Sequence, residues 1–165
     1  MSAPAWLRAW VVAGSIVGVA DLTAACLHAG AYGAKPTVVF RAVASGLLGR
    51  EAAFAGGAWV AVLGVFLHFV IAFGAAGVYL LASRRLPWLL EWPVPAGIAY
   101  GVAVYFFMQK VVLPLSALTQ RPASPKNMAI AIGIHIVCVG LPIALAVARL
   151  APLVGGRRVG LSSRA

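Results

Sequence analysis

The chain has 165 residues, of which 63% are hydrophobic and only 10% are charged. A soluble domain is about 45–50% apolar and about 25% charged, so this composition excludes an ordinary soluble globular protein. The net charge is +10, but the basic residues are scattered through short connections and the terminal segment and match no RNA-binding motif. We therefore expect no nucleic-acid binding, and we expect the basic residues to meet the anionic headgroups of a lipid bilayer.

Four apolar segments are long enough to cross a membrane, which takes about 20 residues in a helix. They cover residues 6–27, 57–82, 94–115 and 127–150. Their apolar runs are continuous and do not alternate, which indicates helices and not a β-barrel. The sequence predicts an all-α integral membrane protein, a four-helix transmembrane bundle that forms a single domain over residues 1–151.

The first segment has a weak likeness to a secretory signal, with Arg8 ahead of an apolar run that ends near Cys26. Asp21 interrupts that run where a signal peptide stays apolar, so we expect an uncleaved first helix. The arginine pair Arg84–Arg85 and the tail arginines favour both termini on the cytoplasmic side. Residues 152–165 are rich in glycine and arginine, and they predict a basic, disordered tail.

The longest connection, over residues 28–56, contains an apolar stretch at 36–48 that includes Arg41. Proline suits the first position of a helix, so Pro36 indicates a helix start. We predict a short interfacial helix over 36–48. It is either an amphipathic spacer at the membrane surface or a lid over polar residues of the bundle.

Three ionisable residues, Asp21, His68 and His135, lie inside predicted spans. Such groups are costly in a bilayer, so they usually have partners and often have a function. Helical spacing puts each of them on a stripe of small residues, which is the face that packs against other helices. We predict that they form one intramembrane polar cluster, which also includes Tyr105, Lys110 and His28.

Small residues in membrane helices let backbones approach closely, and two pairs have the four-residue association spacing. A proline inside the fourth helix should free the carbonyl of Cys138 and shape the packing there. The residues predicted to pack the helices are Gly14, Gly18, Gly64, Gly97, Gly101 and Pro142.

The cluster has several possible functions. It can be structural and hold the helices together, it can bind protons or a cation, or it can hold haem b through His68 and His135. A different class of function is a structural or assembly subunit that packs through its glycine stripes in a homo-oligomer or a membrane complex. No hydrolase motif is present, so we expect a protein that is not an enzyme, with no other cofactor or metal.

The chain also resembles the YagU type, a family of small, largely uncharacterised bacterial inner-membrane proteins. The resemblance implies a multi-pass protein of the bacterial cytoplasmic membrane that contributes to acid resistance, which agrees with a titratable cluster. The residues that carry it are Gly64-Val65-Phe66-Leu67-His68, Ala72-Phe73-Gly74, Tyr79, Leu86-Pro87, Leu113-Pro114-Leu115 and Gly133-Ile134-His135.

Overall fold

A computed structural model of the chain describes residues 4–117 and 124–151, and the structure there is all-helical. Four of the helices are long and apolar enough to cross a membrane, so the predicted fold class is confirmed. In chain order the helices are α1 Ala5–Gly30, α2 Pro36–Leu48, α3 Arg50–Ala55, α4 Ala58–Ser83, α5 Trp88–Glu91, α6 Pro93–Leu115 and α7 Pro125–Leu150.

The observed spans differ from the predicted ones by at most three residues, at the end of α1. Helix α2 has the predicted bounds and begins with Pro36 at its first position. Helix α3 is an addition to the predicted elements. It forms because Gly49 takes a positive φ of 79° that ends α2, after which Arg50–Ala55 starts a new helix. The predicted tail at 152–165 lies outside the described residues.

Helices α1 and α4 pack through two glycines of α1. A side chain at Gly14 would overlap the ring of Phe73, and one at Gly18 would overlap the ring of Phe69. The indole nitrogen of Trp10 also donates a hydrogen bond to the carbonyl of Phe73 at 2.8 Å. The aromatic rings of α4 therefore occupy the space that a side chain at each glycine would fill, which is one way that small residues bring membrane helices close together.

Helices α6 and α7 approach even more closely, backbone to backbone. A Cβ atom at Gly101 would lie 2.6 Å from the Cα of Ile136, and one at Gly97 would lie 3.0 Å from the carbonyl oxygen of Gly140. A Cβ at Gly140 would in turn overlap the backbone of both α6 glycines. Only glycine fits at such a crossing, because the neighbouring atoms are main chain and cannot move aside.

The half of the bundle that holds the start of α1 and helix α5 (the termini half) is filled by a close-packed core. Small side chains of α1, α4 and α7 meet there around Tyr79, which is 1% exposed. Its hydroxyl donates to the carbonyl of Leu89 at 3.0 Å, and the hydroxyl of Tyr100 donates to the carbonyl of Ala75 at 2.7 Å. The buried residues of this core include Ala9, Ala13, Val17, Ala76, Ile143, Ala144 and Val147.

Two of the long helices contain a wide π-helical turn. It spans Met108–Val112 in α6 and His135–Gly140 in α7. Each wide turn ends shortly before a proline, Pro114 or Pro142. A proline ring clashes with the carbonyl four residues earlier, and a locally wider turn relieves that clash. The wide turns therefore have a cause that is visible in the sequence.

Helix α2 lies directly against α4 at the other end of the bundle (the α2 half). A side chain at Gly64 would overlap the carbonyl of Phe40, so the α2 backbone touches α4 at that glycine. The carbonyl of Gly46 also accepts a hydrogen bond of 2.9 Å from the amide of Ala117, just past α6. Arg41 joins α2 to α3 through a 3.3 Å hydrogen bond to the carbonyl of Phe54. Helix α2 is thus fixed to α4, α3 and the end of α6.

Candidate functional site

A cavity of about 510 Å³ lies within the α2 half of the bundle. Asp21 of α1, His68 of α4 and His135 of α7 all line it, so the structure brings these three predicted residues to one place. Among the described residues, the only other hydroxyl- or charge-bearing side chain in the lining belongs to Ser116. The remaining lining is apolar or glycine: Val17, Val39, Ala42, Val43, Gly46, Leu47, Leu67, Val70, Ile71, Ala72, Ala75, Val104, Met108, Val112, Leu113 and Val139.

His68 is held by the backbone of α1. Its Nε2 lies 3.0 Å from the carbonyl oxygen of Gly18. A carbonyl oxygen can only accept, so Nε2 carries the proton and donates this bond. In the neutral ring, Nδ1 is then the basic nitrogen. The bond joins α4 to α1, so His68 has a structural role in addition to any chemical one.

Asp21 and His68 are close without being directly bonded. The distance from Oδ2 of Asp21 to Nε2 of His68 is 4.0 Å, which is beyond the range of a hydrogen bond. The two side chains are 20% and 12% exposed, respectively. Within residues 4–117 and 124–151 the Asp21 carboxylate makes no hydrogen bond. A carboxylate that lacks donors in an apolar cavity is the least satisfied group of the site.

His135 is held by its own helix. Its Nδ1 lies 2.8 Å from the carbonyl oxygen of Ala131, so Nδ1 carries the proton and Nε2 is the basic nitrogen of the neutral ring. The ring of Tyr105 packs edge-on against it, with ring centroids 5.5 Å apart. Tyr105 is only 3% exposed and supports His135 from behind, without lining the cavity itself.

Besides Tyr105, Lys110 and His28 of the predicted cluster do not line the cavity. Lys110 is exposed, because it lies two residues from both Met108 and Val112. Those two line the cavity, and a helix turns residues two apart to different faces. His28 is two helical turns beyond Asp21, about 10 Å further along α1. There its ring packs against Tyr32, with centroids 5.4 Å apart.

Helix α2 forms one wall of the cavity. Five of its residues belong to the lining, between Val39 and Leu47. The sequence is compatible with two roles for this helix, a surface spacer and a lid over the polar residues. Its contact with the cavity favours the lid, and its attachment to α4 at Gly64 puts it beside His68, one helical turn along α4.

The cavity is open on the α2 half and closed toward the termini. Ala72 and Ala75 form part of its floor, and beneath them lies the core around Tyr79 and Ile143. On the side, the lining includes exposed apolar residues of α4, Val70 and Ile71. Access to the polar groups in this conformation is therefore from one half of the bundle only.

The wide turns are a feature of the site that the stripes of small residues do not predict. Met108 and Val112 begin and end the wide turn of α6, and His135 begins that of α7. All three line the cavity. Wide turns inside membrane helices are often found at functional sites. Pro114 and Pro142 are the sequence signal for them, although the sequence predictions assign a backbone effect to Pro142 alone.

The two histidines differ in the ring nitrogen that they leave available. The nitrogen of His68 that an axial ligand would use, Nε2, is protonated and bonded to Gly18. His135 has the opposite arrangement, with Nδ1 anchored and Nε2 available. Two axial ligands to one haem would require one of the two rings to break its bond and turn. In the described residues no group of three or more histidine, cysteine or acidic side chains is placed to hold a metal ion.

No protein-family model, curated protein or solved structure matches the chain.

Proposed function

We propose that the protein is a non-enzymatic membrane protein whose cavity site at Asp21, His68 and His135 takes up and releases protons. Through that site it senses protons or passes protons or a cation. The observation that carries the proposal is the single cavity that receives one carboxylate and two imidazoles from three different helices. Histidine is the side chain that exchanges protons near neutral pH, and carboxylates relay protons inside membrane proteins.

The bonding pattern combines one interhelical contact, from His68 to α1, with nitrogens and oxygens that can accept protons. Polar groups that join membrane helices do so by bonding across the interface, at about 0.6 kcal/mol per interaction. Here each imidazole bonds a backbone carbonyl through one nitrogen, which leaves the other nitrogen as the basic one. The Asp21 carboxylate has no hydrogen bond in the described residues. The second ring nitrogen of each histidine and the Asp21 carboxylate can therefore accept protons.

The assembly alternative loses its main support. It requires glycine stripes that are free to meet a partner chain. Gly14 and Gly18 instead receive aromatic rings of α4, and Gly97 and Gly101 meet the backbone of α7. These surfaces are already used within the chain. A homo-oligomer or a complex would have to form through other faces.

For location, we propose the bacterial inner membrane, with both termini in the cytoplasm. The basic residues near the termini half, including Arg84 and Arg85, favour that orientation. Trp6, Trp88 and Trp92 are exposed in the same half, as in an aromatic belt at the interface. The cavity would then open toward the periplasmic side. A YagU-like contribution to acid resistance fits such a site, since external protons would reach it first.

Proton flux into proteoliposomes tests whether the site passes protons. Vesicles that hold a pH-sensitive dye receive an external acid pulse. We expect the wild-type protein to acidify the interior faster than protein-free vesicles. Asp21→Asn and His68→Ala should reduce the rate to the protein-free level, because each removes a proton-accepting group of the cavity. Glu51→Gln, outside the long helices, is the matched control. Flux that both cavity variants leave unchanged would rule out proton passage through this site.

A further inference from the structure

The Asp21 carboxylate is the only acidic side chain in the four long helices, since the chain's other two acidic residues are Glu51 and Glu91. Within the described part of the chain, no lysine or arginine lines the cavity. His68 of α4 lies 4.0 Å from Asp21, and His135 of α7 lines the same cavity. Cys138 of α7 is near enough to interact electrostatically with the carboxylate, while α2 and α6 bring no charged side chain into the described lining. The negative charge of the cavity is therefore not offset by a permanent cation from these helices.

A lone carboxylate in an apolar cavity is costly unless something neutralises it. A proton can do so, either on the carboxyl itself or on His68 at 4.0 Å. A bound cation can do so as well. Since the site holds a single carboxylate, a cation and the neutralising proton compensate the same charge and compete for it.

The shape and lining of the cavity select the kind of cation. Its volume of about 510 Å³ lies within the range of about 300–1,000 Å³ that suits small organic ligands. A bare metal ion needs several oxygen ligands, and in the described residues the lining side chains offer only those of Asp21 and Ser116. The walls are otherwise hydrocarbon, which favours a ligand with a large apolar body.

The route of entry favours the same class of ligand. Exposed apolar residues of two helices, Ala42 and Leu47 of α2 and Val70 and Ile71 of α4, take part in the lining. The cavity therefore reaches exposed apolar surface on these two helices. A lipophilic molecule dissolved in the bilayer can reach the cavity at this apolar edge, with its cationic end directed at Asp21.

From these observations we infer that the cavity binds a lipophilic organic monocation, such as a hydrophobic amine or a quaternary ammonium, with its charge at Asp21 in exchange for a proton. In this exchange the O–H bond of the neutral carboxyl breaks and the proton leaves to water. The carboxylate that remains pairs with the cation. This inference rests on the proposed proton site and gives it a class of ligand.

Tetraphenylphosphonium is a suitable probe, because it is lipophilic, permanently charged and unable to carry a proton. Calorimetry on the full-length protein in detergent would measure its affinity, and a pH indicator in weak buffer would measure proton release. We expect binding with proton release, and an affinity that falls as the pH falls. Asp21→Asn should weaken binding by at least about tenfold and abolish the release. Asp21→Glu should retain both.

Two controls make the result specific. Glu91→Gln removes a carboxylate outside the long helices and should bind the probe like the wild type. Tetraphenylborate has the same shape with the opposite charge, and it should bind far more weakly. Equal affinity for the two ions, or unchanged affinity in Asp21→Asn, would overturn the inference. If Asp21→Asn does not fold, a wild-type affinity that is independent of pH overturns it equally well.

The failure of this inference is distinguishable from that of the proposed function. If the Asp21 carboxyl takes up protons but the protein does not bind the probe, the proposed proton site stands and only the inference of an organic cation fails. A carboxyl that never takes up a proton removes both.

Discussion

Asp21 and His68 lie close together, but the distance between them is too long for a hydrogen bond. At 4.0 Å they form an ion pair only when the imidazole is protonated, and His68 is held by Gly18 instead. The anchor keeps the imidazole in place whether or not Asp21 is ionised. Such an arrangement lets the carboxylate change its protonation or its partner without loosening the contact between α1 and α4.

Gly101 gives a direct test of packing at the scale of one residue. Alanine there would put a Cβ 2.6 Å from the Cα of Ile136, so we expect Gly101→Ala to destabilise the protein by about 1–3 kcal/mol. Gly133 lies on α7, where an added methyl group would meet nothing within 4 Å, so Gly133→Ala should be neutral or slightly stabilising. Thermal unfolding in detergent compares the two. Equal unfolding temperatures would contradict the backbone contact between α6 and α7.

At the scale of elements, helix α2 is the part of the fold with the most direct bearing on function. It contributes a wall of the cavity, and its backbone rests on α4 at Gly64. The hydrogen bond from Ala117 to Gly46 ties it to the end of α6. A change at Gly64 should therefore move α2 and leave the long helices in place.

Gly64→Ala should open the cavity, because the added methyl group overlaps the carbonyl of Phe40 and pushes α2 away. A cysteine at Ala72, which lines the cavity and is 4% exposed, can report the opening. In a background without Cys26 and Cys138, Gly64→Ala should raise the rate of maleimide labelling at that position.

The control for this experiment is Gly74→Ala, on the same helix, where an added methyl group meets nothing within 4 Å. It should label at the unmodified rate. The lid interpretation of α2 would fail if Gly64→Ala and Gly74→Ala labelled at the same rate.

The elements that can be located well from the sequence are those that repeat a simple pattern. The long helices and α2 follow from apolar length and from Pro36, which marks a helix start. Helix α3 could not be predicted because a segment of six residues shows no hydrophobic periodicity. The wide turns could not be predicted because the clash between a proline ring and the carbonyl four residues earlier can be removed by more than one backbone geometry. The structure puts Lys110 outside the cavity lining, because it lies two residues from both Met108 and Val112, which line the cavity.

At the scale of the whole molecule, the two halves of the bundle differ in what fills them. The termini half is closed by small side chains around Tyr79, with both tyrosine hydroxyls bonded to backbone carbonyls. The α2 half holds the cavity and its three ionisable side chains. The stripes of small residues predict that these side chains share an interior face. They do not predict a cavity, because its volume depends on where α2 lies.

This asymmetry has a functional consequence. A site that is open on one side and sealed on the other takes up protons from one compartment only. Sensing requires no more than that. Passing protons or a cation would in addition require a second conformation, in which the packing around Tyr79 and Ile143 opens.

Infrared difference spectroscopy over about pH 4 to 9 tests the central claim most directly, because it detects protonation of a carboxyl group without any assumption about transport. For the purified protein we predict a carboxylic-acid band that grows as the pH falls, that is missing in Asp21→Asn, and that shifts in His68→Ala through the loss of its neighbour. Glu51→Gln and Glu91→Gln should keep that band. Spectra of the wild type and Asp21→Asn that coincide across the whole range would contradict a proton-exchanging site in the cavity.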